Sequence, residues 1–179
     1  MTPSHIFLTG NPGCGKTTII RRVCDILVSK GTKPGGMISE EIRKGGVRVG
    51  FSLEDLITHE IGVLARVDDR DGPRVGKYHV NLQDLQHVGA VAIRRAMAEA
   101  DVVFVDELGP MELHSMPFIL AVERALECPK HFVGTIHNRA THQLVTAIRS
   151  DPAHHIIDVT LDNREQMWSR IVEQLTGHV

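Results

Sequence analysis

Gly10-Asn11-Pro12-Gly13-Cys14-Gly15-Lys16-Thr17-Thr18 is the stretch whose reading decides the fold. It satisfies the pattern G-x-x-x-x-G-K-[ST], with Thr18 adding a second hydroxyl. The flanks carry as much weight as the motif. His5 to Thr9 is a short apolar run that reads as a buried strand, and from Lys16 to Lys30 the residues Ile19, Ile20, Val23, Ile26 and Leu27 recur at helical spacing before Gly31 stops the helix. A strand, a glycine-rich turn and a helix in that order are the context the motif requires.

Each residue type in the loop has a physical reason. The first turn of a helix presents unpaired N–H groups and the positive end of its dipole, so it favours the dense negative charge of a phosphate. Gly10, Gly13 and Gly15 let the backbone wrap phosphate oxygens with no Cβ in the way. Lys16 then brings a mobile charge toward the β- and γ-phosphates, and the Thr17 hydroxyl is a ligand for Mg²⁺.

Downstream, strand and helix signals alternate, which predicts an α/β fold: a mostly parallel sheet flanked by helices. Residues 36–80 break the alternation as a β-rich insertion after the first helix. Met37 to Arg43 and Val47 to Leu53 read as a β-hairpin around Lys44-Gly45-Gly46, followed by strands over Ile61 to Val67 and Val75 to Val80. The remaining expectations are a helix over Leu82 to Glu99, a strand Val102 to Asp106, a helix Met116 to Glu127 and a strand His131 to Ile136. A helix from Ala140 to Arg149, a strand Ile156 to Leu161 and a helix Arg164 to Leu175 complete the pattern. The 179 residues, 42% apolar, suit one domain spanning 1–179 with a core that needs no staples.

The second nucleotide-facing segment is Val102-Val103-Phe104-Val105-Asp106-Glu107-Leu108-Gly109. Four apolar residues leading into an acid describe a Walker B strand, whose Asp106 is expected opposite Thr17 as a Mg²⁺ ligand. Glu107 points elsewhere and is the candidate general base that polarises a water toward the γ-phosphorus. Glu112 returns toward the crevice after the turn Gly109-Pro110-Met111, as an outer ligand or a solvated charge at a helix start. Thr135 and His137, at the end of strand 131–136, either face the γ-phosphate as a sensor, if that strand lies between the phosphate-loop and acidic strands, or simply cap the strand. Arg139 is a candidate arginine finger with solvated loop charge as the plainer reading, Asn163 and Arg164 are candidates near the base with a helix cap as the other reading of Asn163, and Trp168 reads as a core anchor.

Composition closes off other classes. A net charge of −2 with no long basic run gives no electrostatic footprint for nucleic acid. No apolar run approaches the roughly 20 residues of a membrane span, and no charged segment precedes Ile6-Phe7-Leu8 as in a signal peptide, so a cytoplasmic location is expected. Three cysteines fit neither a disulfide framework nor a zinc ribbon, and the eleven histidines show no H-x-x-x-H spacing.

The combination resembles the thermophile-type nucleoside-triphosphatase family of small P-loop proteins. The resemblance rests on residues 10–18, on E-E-I-R-K-G-G-V-R-V-G-F at 40–51, on D-E-L-G-P-M-E at 106–112 and on D-N-R-E at 162–165. It implies an additional-strand (RecA-like) P-loop fold and Mg²⁺-dependent hydrolysis of ATP, GTP, CTP and UTP to diphosphate and phosphate with broad base tolerance. Glu107 matches the family's catalytic acid, and Glu41, Arg43 and Arg48 match its hairpin motif. Cys14 replaces a small aliphatic residue, and Pro110 stands where a Lys is frequent. No N/T-K-x-D guanine-reading motif is present. Two rivals stay open at this level: a nucleotide or small-molecule kinase, for which the insertion would host an acceptor, and a nucleotide-dependent module that contacts a partner protein through the hairpin. The kinase reading is weakened by the stretch 140–152, where Arg149 is the one permanent cation in place of an Arg-rich lid.

Overall fold

The computed structural model describes residues 3–177; His178 lies outside them. Its strands in chain order are His5–Thr9 (β1), Pro34–Lys44 (β2), Val47–Asp55 (β3), Ile61–Arg66 (β4), Arg74–Val75 (β5), Tyr78–Val80 (β6), Val102–Leu108 (β7), His131–Ile136 (β8) and His154–Asp158 (β9). The helices are Lys16–Ser29 (α1), Leu82–Asp84 (α2), Val91–Glu99 (α3), Met116–Glu127 (α4), Gln143–Ser150 (α5) and Arg164–Thr176 (α6).

The strands form one sheet in the order β5-β6-β4-β3-β2-β7-β8-β1-β9. From β2 to β9 neighbouring strands are parallel, and from β2 to β5 they are antiparallel. The insertion is thus an extension of the main sheet, grown from β2 through the Gly45-Gly46 turn, where Lys44 pairs with Val47. β8 separates the phosphate-loop strand β1 from the acidic strand β7, which is the arrangement on which the expectation for Thr135 and His137 depended.

Period-two alternation assigns side chains to two cores. Ile6, Leu8, Val102, Phe104 and Val133 face α1 and α6, packing with Ile20, Val23, Leu27 and Ile171. Phe7, Val103, Val105 and Phe132 face the opposite layer and pack with Ile93, Phe118, Val122 and Leu144. Burial on both faces explains why these strands read as unbroken apolar runs. Among the described residues no helix is long and apolar enough to cross a membrane.

Four expectations shift. The helix expected over Leu82 to Glu99 is interrupted by a π-helical turn, Leu85–Ala90, which presses the chain onto the hairpin: a Cβ at Gly89 would sit 3.2 Å from the Met37 sulfur. The strand expected over Val75 to Val80 is two strands bracketing Gly76-Lys77, with Val75 paired to Tyr78. The last strand spans His154–Asp158, because beyond Asp158 the Asn163 side chain gathers the chain into a loop by accepting from Thr160 N at 2.9 Å and donating to Asp158 O at 2.8 Å. Helix α5 begins later than expected, since His142 is its cap and accepts from Leu144 N at 3.1 Å. Trp168 is only partly buried, at the seam of α1 and α6, with the Arg22 guanidinium 4.2 Å above its ring.

Gly36 sets the approach of the hairpin to the acidic strand. It has φ +115° and a Cβ built there would lie 1.9 Å from the Phe104 carbonyl oxygen, its register partner in β7. Gly36→Ala is expected to lower the free energy of urea unfolding by about 3 kcal/mol, because backbone must move to admit the methyl.

Candidate active site

The phosphate loop leaves β1 and enters α1 through Gly15, which occupies the N-cap in a left-handed conformation. Gly10, at φ +141°, lies so close to the β9–α6 loop that a Cβ would come within 2.4 Å of Val159 O. Lys16 is buried, and its ammonium donates to the carbonyls of Gly10 (3.0 Å) and Asn11 (3.4 Å), so the charge is held inside the curl of the loop. Asn138, just beyond β8, steadies the loop's entrance. Its side-chain oxygen accepts from Gly10 N (2.9 Å) and the Thr9 hydroxyl (2.8 Å), and its amide nitrogen donates to the Asn11 side chain (3.2 Å).

Asp106 joins three elements. The Thr17 hydroxyl donates to one of its carboxylate oxygens at 2.7 Å and the buried Thr135 hydroxyl to the other at 2.5 Å. Burial raises its pKa, opposed by those two hydrogen bonds and by Lys16 and Arg21. Thr17 and Asp106 are hard oxygen donors set side by side at a helix N-terminus, a set that suits Mg²⁺, which takes few protein ligands and completes its octahedron with water and phosphate oxygens.

The next residue, Glu107, is partly buried and opens onto the cavity in front of the loop. Its Asp106–Glu107 peptide bond is cis. Burial, and then the Asp106 charge, push its pKa up to about 7 against the pull of Lys16. Glu112 is 4% exposed and shares this cavity; its carboxyl and that of Glu107 both flank Gly109. Burial and the neighbouring Glu107 raise its pKa well above the ordinary glutamate value, and its burial means it is no solvated helix-start charge.

The cavity holds about 690 Å³ and reaches from Lys16, Thr17 and Thr18 across Glu107, Glu112 and His137 to the insertion. There Arg48 donates to Glu41 (2.8 Å) and to the Tyr78 hydroxyl (2.9 Å). Glu41 and Arg48 line the cavity, whereas Arg43 lies outside its lining, bound to Glu41 and to Gly46 O at the hairpin tip. Arg21, one turn into α1, pairs with Glu40 and Glu54 and so ties the insertion to the phosphate-loop helix. A second cavity of about 390 Å³ lies on the other side of the loop, lined by Asn11, Pro12, Gly13, Cys14, Asn138 and residues 158–161.

Other expected residues divide. His137 faces the larger cavity, with its pKa lowered by burial and by Lys16 and Arg139. Arg139 is exposed and lines neither cavity. The Arg164 side chain runs beside Gly15, its Cδ 3.6 Å from where a Cβ would stand. Asn163 stands at the N-cap of α6 without a side-chain capping bond and instead folds the 158–163 loop. Val102, Val103, Phe104, Val105 and Leu108 are core residues lining neither cavity; within that segment, the cavity in front of the loop is lined by Glu107 and Gly109. Sequence reasoning passed over Asn138 and Arg21. The signal for Asn138 was its place after a strand that ends beside the loop; for Arg21, a cation one turn after the motif facing two glutamates of the insertion.

The phosphate loop, the acid two strands away and the strand between them define a P-loop protein of the additional-strand type. Residues 5–172 match the model of the family described as NTPase. The chain is 43% identical over 180 residues to the nucleoside-triphosphatase THEP1 of Thermofilum pendens, covering all of this chain and 99% of the relative. It is 42% identical to THEP1 of Methanosarcina acetivorans, covering 95% of each. The crystal structure of THEP1 from Aquifex aeolicus superposes with a TM-score of 0.86 at 30% identity, covering 96% of this chain and 99% of that one. The solution structure of a human cancer-related nucleoside triphosphatase superposes at 0.82 with 34% identity and 97% of each chain. The chain belongs to the NTPase family, and its fold is theirs.

The buried acids make the metal-free protein sensitive to pH. An unfolded glutamate releases its proton near 4.5, and folded Glu107 keeps its proton to about 7. The folded state binds more protons across that window, so the contribution is fully present below pH 4.5 and is lost as pH rises through 7. In EDTA, urea titrations at about pH 5.5 and about pH 8 are expected to show a loss of stability that is about 2 kcal/mol smaller in Glu107→Gln than in the parent.

Proposed function

We propose that the protein hydrolyses nucleoside triphosphates to the diphosphate and phosphate with Mg²⁺, and with little discrimination among bases. The observation that carries this reading is the 2.7 Å bond between Thr17 and Asp106, which sets a metal-type donor pair against the phosphate loop with Glu107 as the adjoining acid on the cavity side. Mg²⁺ held by Thr17 and Asp106 would neutralise charge on the β- and γ-phosphate oxygens.

The chain's own groups account for the rest. Loop N–H groups and the α1 dipole bind the phosphates, and the Lys16 ammonium leaves the Gly10 and Asn11 carbonyls for the β- and γ-phosphate oxygens. Glu107 takes a proton from a water as its oxygen bonds to the γ-phosphorus, and the β–γ bridging oxygen departs with its electron pair on the diphosphate. A carboxylate with a pKa near 7 is well matched to this work near neutral pH. Thr135 orients the Asp106 carboxylate, and His137, electrically neutral, closes the β8 side.

Broad base tolerance follows from the smaller cavity. Its lining mixes the apolar side chains of Pro12, Cys14, Val159 and Leu161, suited to covering a ring face, with the polar groups of Asn11, Asn138, Asp158 and Thr160. Of the polar side chains, Asn138 and Asn11 are already committed to the loop and to each other, which leaves few groups free to read a base edge.

Glu107→Gln is expected to lower kcat by about 100-fold or more while nucleotide affinity stays within about threefold of the parent, because the carboxylate acts on water and the phosphate site is intact. Phosphate release from the four ribonucleoside triphosphates with Mg²⁺, and with EDTA as control, reads this directly. Undiminished turnover in the variant would remove Glu107 from the reaction. Bound nucleotide is also expected to slow alkylation of Cys14, whose buried thiol sits within the loop beside Gly10; mass spectrometry of the Cys14 peptide with and without nucleotide measures the protection.

A further inference from the structure

Hydrolysis needs one water in front of the terminal phosphate, and the cavity there is far larger than one water requires. Its 690 Å³ falls within the roughly 300–1,000 Å³ of small-molecule sites. The far half is not phosphate-binding surface. It is an apolar annex built by two segments of the chain: Phe51, Leu64, Val75 and Tyr78 from the insertion and Met111 from the turn after β7. Phe51 and Tyr78 pack edge to face with centroids 5.2 Å apart, and Arg48 lies over Phe51 at 5.2 Å. These side chains are held by sheet pairing and by the Arg48–Tyr78 and Arg48–Glu41 bonds, so the annex is a preformed wall.

Charge selects the occupant. Glu40, Glu41, Glu107 and Glu112 line the cavity. Of its two permanent cations, Arg48 is spent on Glu41 and Tyr78, and Lys16 belongs to the loop. Glu40 is likewise paired with Arg21, so no cation of the lining is left to receive a second anion, and a phosphorylated acceptor would find no partner for its charge there. An uncharged heteroaromatic compound has apolar faces for Phe51, Tyr78 and Met111, and a hydroxyl on it would point back toward Glu107.

We propose that the annex binds an uncharged heteroaromatic alcohol of about nucleoside size, and that this alcohol replaces water as the acceptor of the γ-phosphoryl group. The inference rests on the nucleotide site described above. The hydroxyl oxygen bonds to the γ-phosphorus and its proton passes to the Glu107 carboxylate. The bond from the γ-phosphorus to the β–γ bridging oxygen breaks, with the electron pair leaving on the nucleoside diphosphate. The products are a phosphate monoester and the diphosphate, with no further reactant.

The experiment compares diphosphate and inorganic phosphate released from ATP by the full chain with Mg²⁺, in the presence of millimolar free nucleosides and hydroxymethyl-substituted pyrimidines and pyridines. Hydrolysis alone yields the two in equal amounts. Transfer yields diphosphate in excess, matched by a phosphate monoester seen by ³¹P NMR. An excess is expected for at least one alcohol, and it should disappear in Val75→Trp and in Met111→Trp, which fill the annex from two separate segments, while hydrolysis without added alcohol stays within about twofold of the parent. Persistence of the excess in both filled variants would overturn the annex as its source. Equal release with every alcohol overturns the proposal and leaves the hydrolase reading standing. Absence of any diphosphate release without alcohol, but release with it, overturns simple hydrolysis and sustains the acceptor site.

Discussion

Asp106 is a buried carboxylate bonded by hydroxyls from two other elements, Thr17 of α1 and Thr135 of β8, and the site is organised around that junction. A charge placed there without partners would cost several kcal/mol, so the two hydroxyls and the nearby cations are conditions for the position to exist. The junction also sets distances. β7, β8 and the phosphate-loop helix cannot slide relative to one another without breaking a bond to Asp106, and Glu107 inherits its place from that restraint. Asn138 acts in the same sense on the other side, binding Thr9 and Gly10 to the end of β8.

How far this was legible depends on the range of the interaction concerned. The phosphate loop is local: one strand, one turn and one helix in sequence carry its whole geometry, and Gly10 through Thr17 read directly. The pairing of Asp106 with Thr17 was inferable from the Walker pattern, since apolar residues followed by an acid place the acid at the carboxyl end of a parallel strand. The order β7-β8-β1 was not, because a continuous apolar run states that a strand is buried and not which strands flank it. For the same reason Thr135 could be suspected as facing the phosphate, while its bond to Asp106 could not be foreseen.

The misreadings share one cause. Leu82 to Glu99 has helical period throughout, and the π-turn at Leu85–Ala90 arises from how the segment seats on Met37 and Leu53 across the chain. Val75 to Val80 looked like one strand because alternation persists through the Gly76-Lys77 turn. In each case tertiary contact outweighed a local pattern that was itself correctly read.

The insertion gains its meaning from the same reasoning. Exposed ion pairs contribute little alone, so the Arg43–Glu41 contact at the hairpin tip cannot be what holds the cavity wall. The wall is fixed by the antiparallel pairing of β2 with β3 and of β3 with β4, and by two less exposed arginines. Arg21 reaches from the phosphate-loop helix to Glu40 and Glu54, and Arg48 reaches from β3 to Tyr78. A shift of α1 would pull on Glu40 and Glu54 through Arg21, and hence on the strands that carry Ser39, Glu41 and Phe51 into the cavity. The cation one turn after Lys16 therefore ties the phosphate-loop helix to the strands of the far wall, the same strands that present Phe51 to the cavity.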